Sequence, residues 1–275
     1  MAVSGITNAA HSSTESGDVP LPPILKWAGG KRWLVPELQR YWQPHRRLVE
    51  PFCGGLAVAL GLQPQRALLA DANLHLINFY QQVQRGLSLP FQPRNEAEYY
   101  YQARERFNAL IQEGRACTPE AAALFYYLNR TGYNGLCRFN RRGLFNVPFG
   151  RYRTIRYRKD FQEYRQVLRN WQFVCQDFET LEIEPDDFIY ADPPYDVPFR
   201  QYSQHGFSWE DQVRLVEWLV QHPGPVALSN QATERIVALY EDAGFQIRFL
   251  QAPRRISCTG DRSPAREVLA LRNMP

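Results

Sequence analysis

Phe188-Ile189-Tyr190-Ala191-Asp192-Pro193-Pro194-Tyr195 is an apolar run closed by an acid, two prolines and an aromatic ring. The run reads as a buried strand that must stop at the prolines, because proline cannot continue a hydrogen-bonded ladder. Acid, stiff turn and ring are then held at the carboxyl edge of a sheet, where open α/β sheets bind ligands. There a carboxylate and a proline carbonyl can accept the two N–H bonds of a planar amino group, and the ring can stack on the base that carries it. A strand-ending turn with a surface Asp is the plainer reading of the same residues.

Outward from this stretch, short apolar runs at 47–52, 67–71, 173–176, 188–192, 226–229, 245–250 and 268–271 read as strands. Amphipathic stretches such as 209–221 and 233–243 lie between them. Strands alternating with helices mean an α/β fold, a mostly parallel sheet with helices on both faces. Ser208 with Asp211 three residues on resembles a capping box, and Gly244 stands where a helix C-cap is expected. The segment from about 95 to 169 breaks the rhythm. It is helical over 96–110 and 119–129, then Gly/Asn/Arg-rich, and reads as a smaller inserted unit.

The chain has 275 residues, long enough for one large domain with an insertion, and 44% hydrophobic residues, as in a globular protein. No apolar run approaches the ~20 residues of a membrane span. Residues 1–22 are read as a mobile tail that is not a signal peptide. The five cysteines and five histidines show no metal-ligand spacing and no disulfide framework, so no metal and a reducing cytoplasm are expected. The net charge is only +4, yet 130–159 carries nine Lys/Arg and no Asp/Glu. Tyr133, Phe139, Phe145, Phe149, Tyr152 and Tyr157 are interleaved with them. That mixture suits a nucleic-acid surface better than a plain solvated face.

Glu50-Pro51-Phe52-Cys53-Gly54-Gly55 closes the first strand in a glycine turn, which lets backbone approach a ligand closely. It is not the G-x-G-x-x-G of nicotinamide sites. The next strand ends at Asp71, which can accept bonds from a ribose diol or cap a helix containing Leu74 and Ile77. Upstream, Lys26-Trp27-Ala28-Gly29-Gly30-Lys31 offers small residues for close approach, a Trp to cover an adenine or sulfonium, and Lys31 to bind a carboxylate.

These stretches, together with 128–152 and the order in which all of them occur, resemble the DNA adenine methylase (Dam) family of N6-adenine methyltransferases over about residues 24–273. Arg255-Ile256-Ser257-Cys258-x-Gly260-x-Arg262 and Glu267-x-Leu269 look like that family's ending. The resemblance implies a Rossmann-like, S-adenosylmethionine-dependent methyltransferase fold built from 23–94 and 170–275. Residues 95–169 are then an inserted, mainly helical target-recognition domain carrying a hairpin. It implies S-adenosyl-L-methionine as donor, with Trp27, Ala28, Gly29, Lys31, Glu50, Phe52, Gly54, Asp71 and Asp192 around it and Asp71 on the ribose. Asp177 and Phe178 would lie near the donor's adenine. The target adenine would be flipped out of the duplex, with Asp192 and Pro193 accepting its N6 hydrogens at the Pro193-Pro194 turn and Tyr195 stacking on it. A cytosine-C5 enzyme would need a cysteine nucleophile beside a proline, and none of the five cysteines follows one.

The same resemblance makes Tyr133 a wedge in the duplex and Asn134 a filler of the vacated space. Arg138 would read guanine, and Leu136 and Pro148 a thymine methyl, which matches GATC. Arg130 and Asn140 complete the expected DNA face, and Arg151, Arg153, Arg156 and Arg158 read as phosphate contacts. The expected partner is double-stranded DNA, met by a monomer or weak dimer, without metal or membrane. Leu56 stands where the family usually has a small residue; it either crowds the donor's methionine moiety or points into the core. Competing readings are amino methylation of another acceptor (cytosine N4, RNA adenine or a protein amide) and a catalytically inactive DNA-binding homologue.

Overall fold

The computed structural model describes residues 20–196, 207–253 and 265–274. Seven strands form one sheet: β1 (Leu48–Glu50), β2 (Ala67–Ala70), β3 (Trp171–Val174), β4 (Phe188–Ala191), β5 (Val226–Gln231), β6 (Gln246–Ala252) and β7 (Ala265–Arg272). Their order is β3-β2-β1-β4-β5-β7-β6. The first five in that order run parallel, and β7 is antiparallel to both its neighbours. Eight α-helices accompany them among the described residues: α1 (Val35–Leu38), α2 (Ala59–Leu62), α3 (Leu74–Arg85), α4 (Ala97–Gln112), α5 (Pro119–Thr131), α6 (Gln162–Leu168), α7 (Trp209–Val220) and α8 (Glu234–Asp242). No helix of the described residues is long and apolar enough to cross a membrane.

Strand periodicity sorts the side chains onto two faces. In β4, Phe188 and Tyr190 join the cluster that holds α3, while Ile189 and Ala191 join the one that holds Leu215, Val216 and Leu219 of α7 and Ile236 and Tyr240 of α8. β1 and β2 alternate in the same way, Leu48 and Leu69 facing α3, Val49 and Leu68 facing α7. The result is the expected three-layer sandwich, and its topology sets the site. From β1 the chain winds outward to β2 and β3, then returns to β4 on the other side. The carboxyl ends of β1 and β4 therefore flank the point where strand order reverses, the place such sheets leave a crevice.

Helix ends follow local chemistry. Ser208 and Asp211 form a complete capping box at α7. Gly244, φ +79°, follows α8 as expected. Asn73 caps α3, its Oδ1 accepting from His75 N at 3.0 Å and Leu76 N at 3.2 Å. Asp71 is thus not the cap; it stands two residues too early and turns its carboxylate elsewhere.

Several sequence boundaries shift, two of them for a clear physical reason. The strand expected at 173–176 is Trp171–Val174, because Trp171 and Phe173 both face inward and pair with Ala67 and Leu69 of β2. The tail expected to run to residue 22 ends earlier: Leu21 packs on the core, and the Pro22 carbonyl accepts Tyr164 Oη–H at 2.7 Å. Residues 1–19, and the Arg255–Arg262 stretch of the expected ending, lie outside the described residues.

Segment 95–169 supplies α4, α5, α6 and a bridged loop, with single β-bridges at Gly132–Phe149 and Phe139–Phe145. Its core is continuous with that of the sheet. Phe79 of α3 stacks on Tyr126 of α5, ring centroids 5.8 Å apart and nearly coplanar in tilt at 5°.

Replacing Asn73 with Ala removes the α3 cap and should lower unfolding free energy by about 1 kcal/mol, read as a lower urea midpoint at unchanged slope. An unchanged midpoint would show that the cap bonds add nothing to stability.

Candidate active site

Pro193 and Pro194 stop β4, so Asp192 projects from the sheet edge without a ladder partner. Two side chains fix its carboxylate, and a third steadies one of them. Lys31 Nζ lies 2.9 Å from Oδ1 and 3.0 Å from Oδ2. Ser229 of β5 donates to Oδ1 at 2.9 Å, and its hydroxyl also meets Tyr190 Oη at 2.9 Å. Lys31 is 3% exposed, so its ammonium sits in the protein rather than in water, held also by the Gly29 carbonyl at 3.0 Å. Burial pushes the Asp192 carboxyl above its ordinary range, and Lys31 pulls against that. The sequence placed Lys31 on a ligand carboxylate; here it is occupied by Asp192, a partner that only the fold brings within reach.

β7 completes this edge. Because it runs antiparallel, its first residues lie beside the end of β5, with Glu267 opposite Gln231. The buried Glu267 accepts the Tyr195 hydroxyl. Its other oxygen stands 3.9 Å from Lys31 Nζ. Tyr195 in turn lies under that ammonium, 4.8 Å from Nζ to ring centroid. Gln212 of α7 donates to the Pro194 carbonyl at 2.9 Å, which leaves the Pro193 carbonyl unclaimed among the described residues.

The β1 side supplies a second cradle. Asp71 accepts from Gly54 N at 3.1 Å and Asn73 N at 2.9 Å, while burial raises its carboxyl. Gly54 and Gly55 let the Trp27 indole come close: a Cβ on Gly54 would stand 2.7 Å from Trp27 Nε1, and one on Gly55 2.9 Å from its Cβ. The glycine turn therefore admits the protein's own Trp27. Ala28 and Gly29 are exposed next to it. Glu50 is buried, with burial raising its carboxyl and the Ala59 N–H opposing, and Oε1 has no partner. A buried acceptor near Asp192 with no partner among the described residues fits a ligand that brings its own hydrogens, such as an ammonium or a sugar hydroxyl.

Phe52 and Phe178 pack ring on ring at 5.9 Å, with Phe178 buried. Asp177 lies beyond the end of β3, gripped by Arg214 at 2.8 and 3.0 Å, and its carboxyl is held below the ordinary range by that guanidinium. Leu56 is fully buried in the core with φ +59°, so of its two readings the inward one holds.

The bridged loop leans on the same edge. Asn129 clamps Lys26, accepting its backbone N–H and donating to its carbonyl, both at 2.8 Å. Lys26 Nζ donates to the Arg130 carbonyl at 2.9 Å and sits 3.6 Å over the Tyr152 ring; burial, then Arg130, pulls its pKa down to about 8. Tyr133 is 50% exposed and Asn134 beside it takes a left-handed backbone, φ +52°. Arg138 is exposed and braced by Asn146 Oδ1 at 2.8 Å and its carbonyl at 3.2 Å, which keeps the outer edge of the guanidinium open. Pro148, Arg151 and Arg153 are exposed; Arg130 and Leu136 are half-buried. Two further residues expected at DNA also bond within the protein. Asn140 Oδ1 closes the turn, accepting Arg142 N at 2.9 Å and Leu144 N at 3.1 Å. Arg158 pairs with Glu163 at 3.1 Å and stacks on Tyr164.

Comparison with known proteins decides the family. Residues 27–256 match the D12 class N6 adenine-specific DNA methyltransferase model. The chain belongs to this family. The DNA adenine methylase of Escherichia coli strain K12 is 37% identical over 90% of this chain and 94% of its own length. The Retron Ec67 DNA adenine methylase of Escherichia coli is 34% identical, covering 90% of each. The DNA N-6-adenine-methyltransferase of Escherichia phage P1 is 38% identical, but this chain spans only 35% of its length. The chain is thus an adenine-specific DNA methyltransferase, and S-adenosyl-L-methionine is its methyl donor.

Sequence reasoning did not single out Ser229 or Gln212, and it met Asn129 and Glu267 only as parts of motifs. The available signal was a polar residue inside an apolar run, Ser229 at the end of 226–229.

Lys31→Met would leave the Asp192 carboxylate without its cation. An opposite charge at this distance lowers a carboxyl pKa by about 1–3 units, so its loss raises that pKa. The acidic limb of the kcat/KM profile should therefore move to higher pH by a similar amount, with activity recovering as pH rises. An unmoved limb would remove Lys31 as the group that keeps Asp192 ionised.

Proposed function

We propose that this enzyme methylates N6 of an adenine flipped out of duplex DNA, within GATC. The observation that carries the reading is the fixed Asp192 carboxylate at the strand-order reversal, next to a Pro193 carbonyl that no described residue claims. Two acceptors so placed take the two hydrogens of a planar exocyclic amine. That directs the nitrogen lone pair away from them, toward the β1 side of the crevice. A paired base in a duplex cannot present its N6 there, which supports flipping.

Bound S-adenosyl-L-methionine supplies an electrophilic methyl on a sulfonium. Glu50, with its unpartnered oxygen, and Asp71 are the residues suited to hold it, Trp27 and Phe52 to flank it, and Phe178 with Asp177 to border its adenine end. Asp192 accepts the proton that N6 must lose, and Lys31 and Ser229 hold its carboxylate in place as the charge changes. Tyr195 stacks on the base. No protein nucleophile is needed, so positioning and electrostatics carry the catalysis.

Residues 95–169 are the target-recognition part in this reading. The exposed Tyr133 on a left-handed corner supports a wedge. Arg138, braced on one edge by Asn146 and open on the other, supports a bidentate guanine contact. Leu136 and Pro148 supply apolar contact for a thymine methyl, and Arg151 and Arg153 meet phosphates.

Labelled methyl from S-adenosylmethionine should enter an unmethylated GATC duplex, but neither one with the site scrambled nor one already N6-methylated there. Incorporation into the scrambled duplex would keep the reaction and remove GATC. Asp192→Ala should abolish transfer while DNA affinity stays within about threefold, since positioning rather than binding is lost; parallel loss of both would refute its role. Arg138→Ala should relax discrimination at one guanine by about 1–3 kcal/mol, whereas uniform weakening on every sequence would make it a phosphate contact.

A further inference from the structure

Glu267 is placed by the sheet's last turn of topology. It lies near the start of β7, between Gln231 of β5 and Leu250 of β6, at the edge where Asp192 emerges. It is 6% exposed. A carboxylate there is costly to bury, and an aliphatic side chain would serve the sheet as well. What the carboxylate holds is specific. One oxygen accepts the Tyr195 hydroxyl; the other makes no hydrogen bond to any described residue and faces Lys31 Nζ at 3.9 Å.

Tyr195 otherwise has few restraints. Its backbone follows Pro194, whose carbonyl is pinned by Gln212. Next along the chain, Asp196 is gripped by Arg235. The ring itself meets Lys31 over its face and Glu267 at its tip. Gln212 thus fixes where the side chain starts, and Glu267 fixes where it ends. A ring pinned at both ends presents one plane, which is what stacking on an extruded base requires.

We propose that Glu267 is a positioning residue for methyl transfer, setting the plane of Tyr195 through its hydroxyl and tying that ring to Asp192 through the shared Lys31. The inference deepens the reading of Tyr195 as the base-stacking residue and rests on it. Burial, which raises the Glu267 carboxyl against the pull of Lys31, agrees with a group that works by geometry more than by charge. Glu267 touches neither the base nor the donor in this scheme, so its effect reaches the reaction only through Tyr195.

The test is a double-mutant cycle in the full chain, read as the single-turnover rate at saturating GATC duplex and S-adenosylmethionine. Tyr195→Phe keeps the ring and removes the hydroxyl; Glu267→Ala removes the acceptor. Each should slow transfer by roughly 10- to 100-fold, the loss typical of a small misplacement. The double variant should be no slower than the slower single within about threefold, because both remove one shared contact. Glu267→Gln, whose amide oxygen still accepts the hydroxyl, should fall between wild type and Glu267→Ala. Donor affinity by calorimetry should stay within about threefold in all of them, a readout that general loss of structure would not spare.

A wild-type rate in Tyr195→Phe overturns the proposal even if Glu267→Ala fails to fold. So does a double variant whose loss is the product of the single losses. A wild-type chain that moves no methyl to any DNA instead fails the function on which the inference stands, and is seen in the control before any variant is compared.

Discussion

One buried ammonium holds the carboxyl edge of the sheet together. Lys31 comes from the loop before α1, Asp192 from the end of β4 and Glu267 from the start of β7, segments far apart in the chain. An isolated ammonium taken out of water is expensive, so the three groups are bound to one another by the cost of leaving any of them alone. Burial raises the Asp192 and Glu267 carboxyls, and the ammonium of Lys31 pulls both back down.

The rest of the architecture serves to deliver those three groups. The reversal of strand order opens a crevice between β1 and β4. The antiparallel β7 turns the chain back so that Glu267 arrives at the carboxyl edge instead of the opposite one. Proline stops β4 at the residue where the carboxylate is needed. On the β1 side the two glycines accept Trp27, which locks the loop carrying Lys31 against the turn carrying Gly54.

The 95–169 unit is joined to this edge through side chains. Asn129 clamps the Lys26 backbone from both sides, so the end of α5 and the Lys26–Lys31 loop share one anchor. A Cβ on Gly135 would fall 2.2 Å from that of Lys26, and Gly135 also has φ +61°, so glycine is required there twice over. Aromatic packing of α5 on α3 makes the unit an extension of the core and limits how far the loop can drift from Asp192.

Much of this was legible in the chain. Short apolar runs located all seven strands of the described residues, and glycine, acid or proline marked where several of them end, because apolar runs and ladder termination are local properties. Ser208 with Asp211 and Gly244 marked helix ends for the same reason. The order of short motifs carried the family. What the sequence could not show is which partner each polar side chain would meet. Lys31 was read as a carboxylate binder, and the carboxylate it meets is the protein's own Asp192; Asp71 was weighed as a cap that Asn73 supplies; Asn140, expected at DNA, also closes its own turn. Ser229, Gln212 and Glu267 became visible only when the sheet brought β5, α7 and β7 beside β4. Secondary structure and motif order follow from spacing along one segment, whereas a buried ion cluster is chosen by desolvation among segments that meet only in the folded sheet.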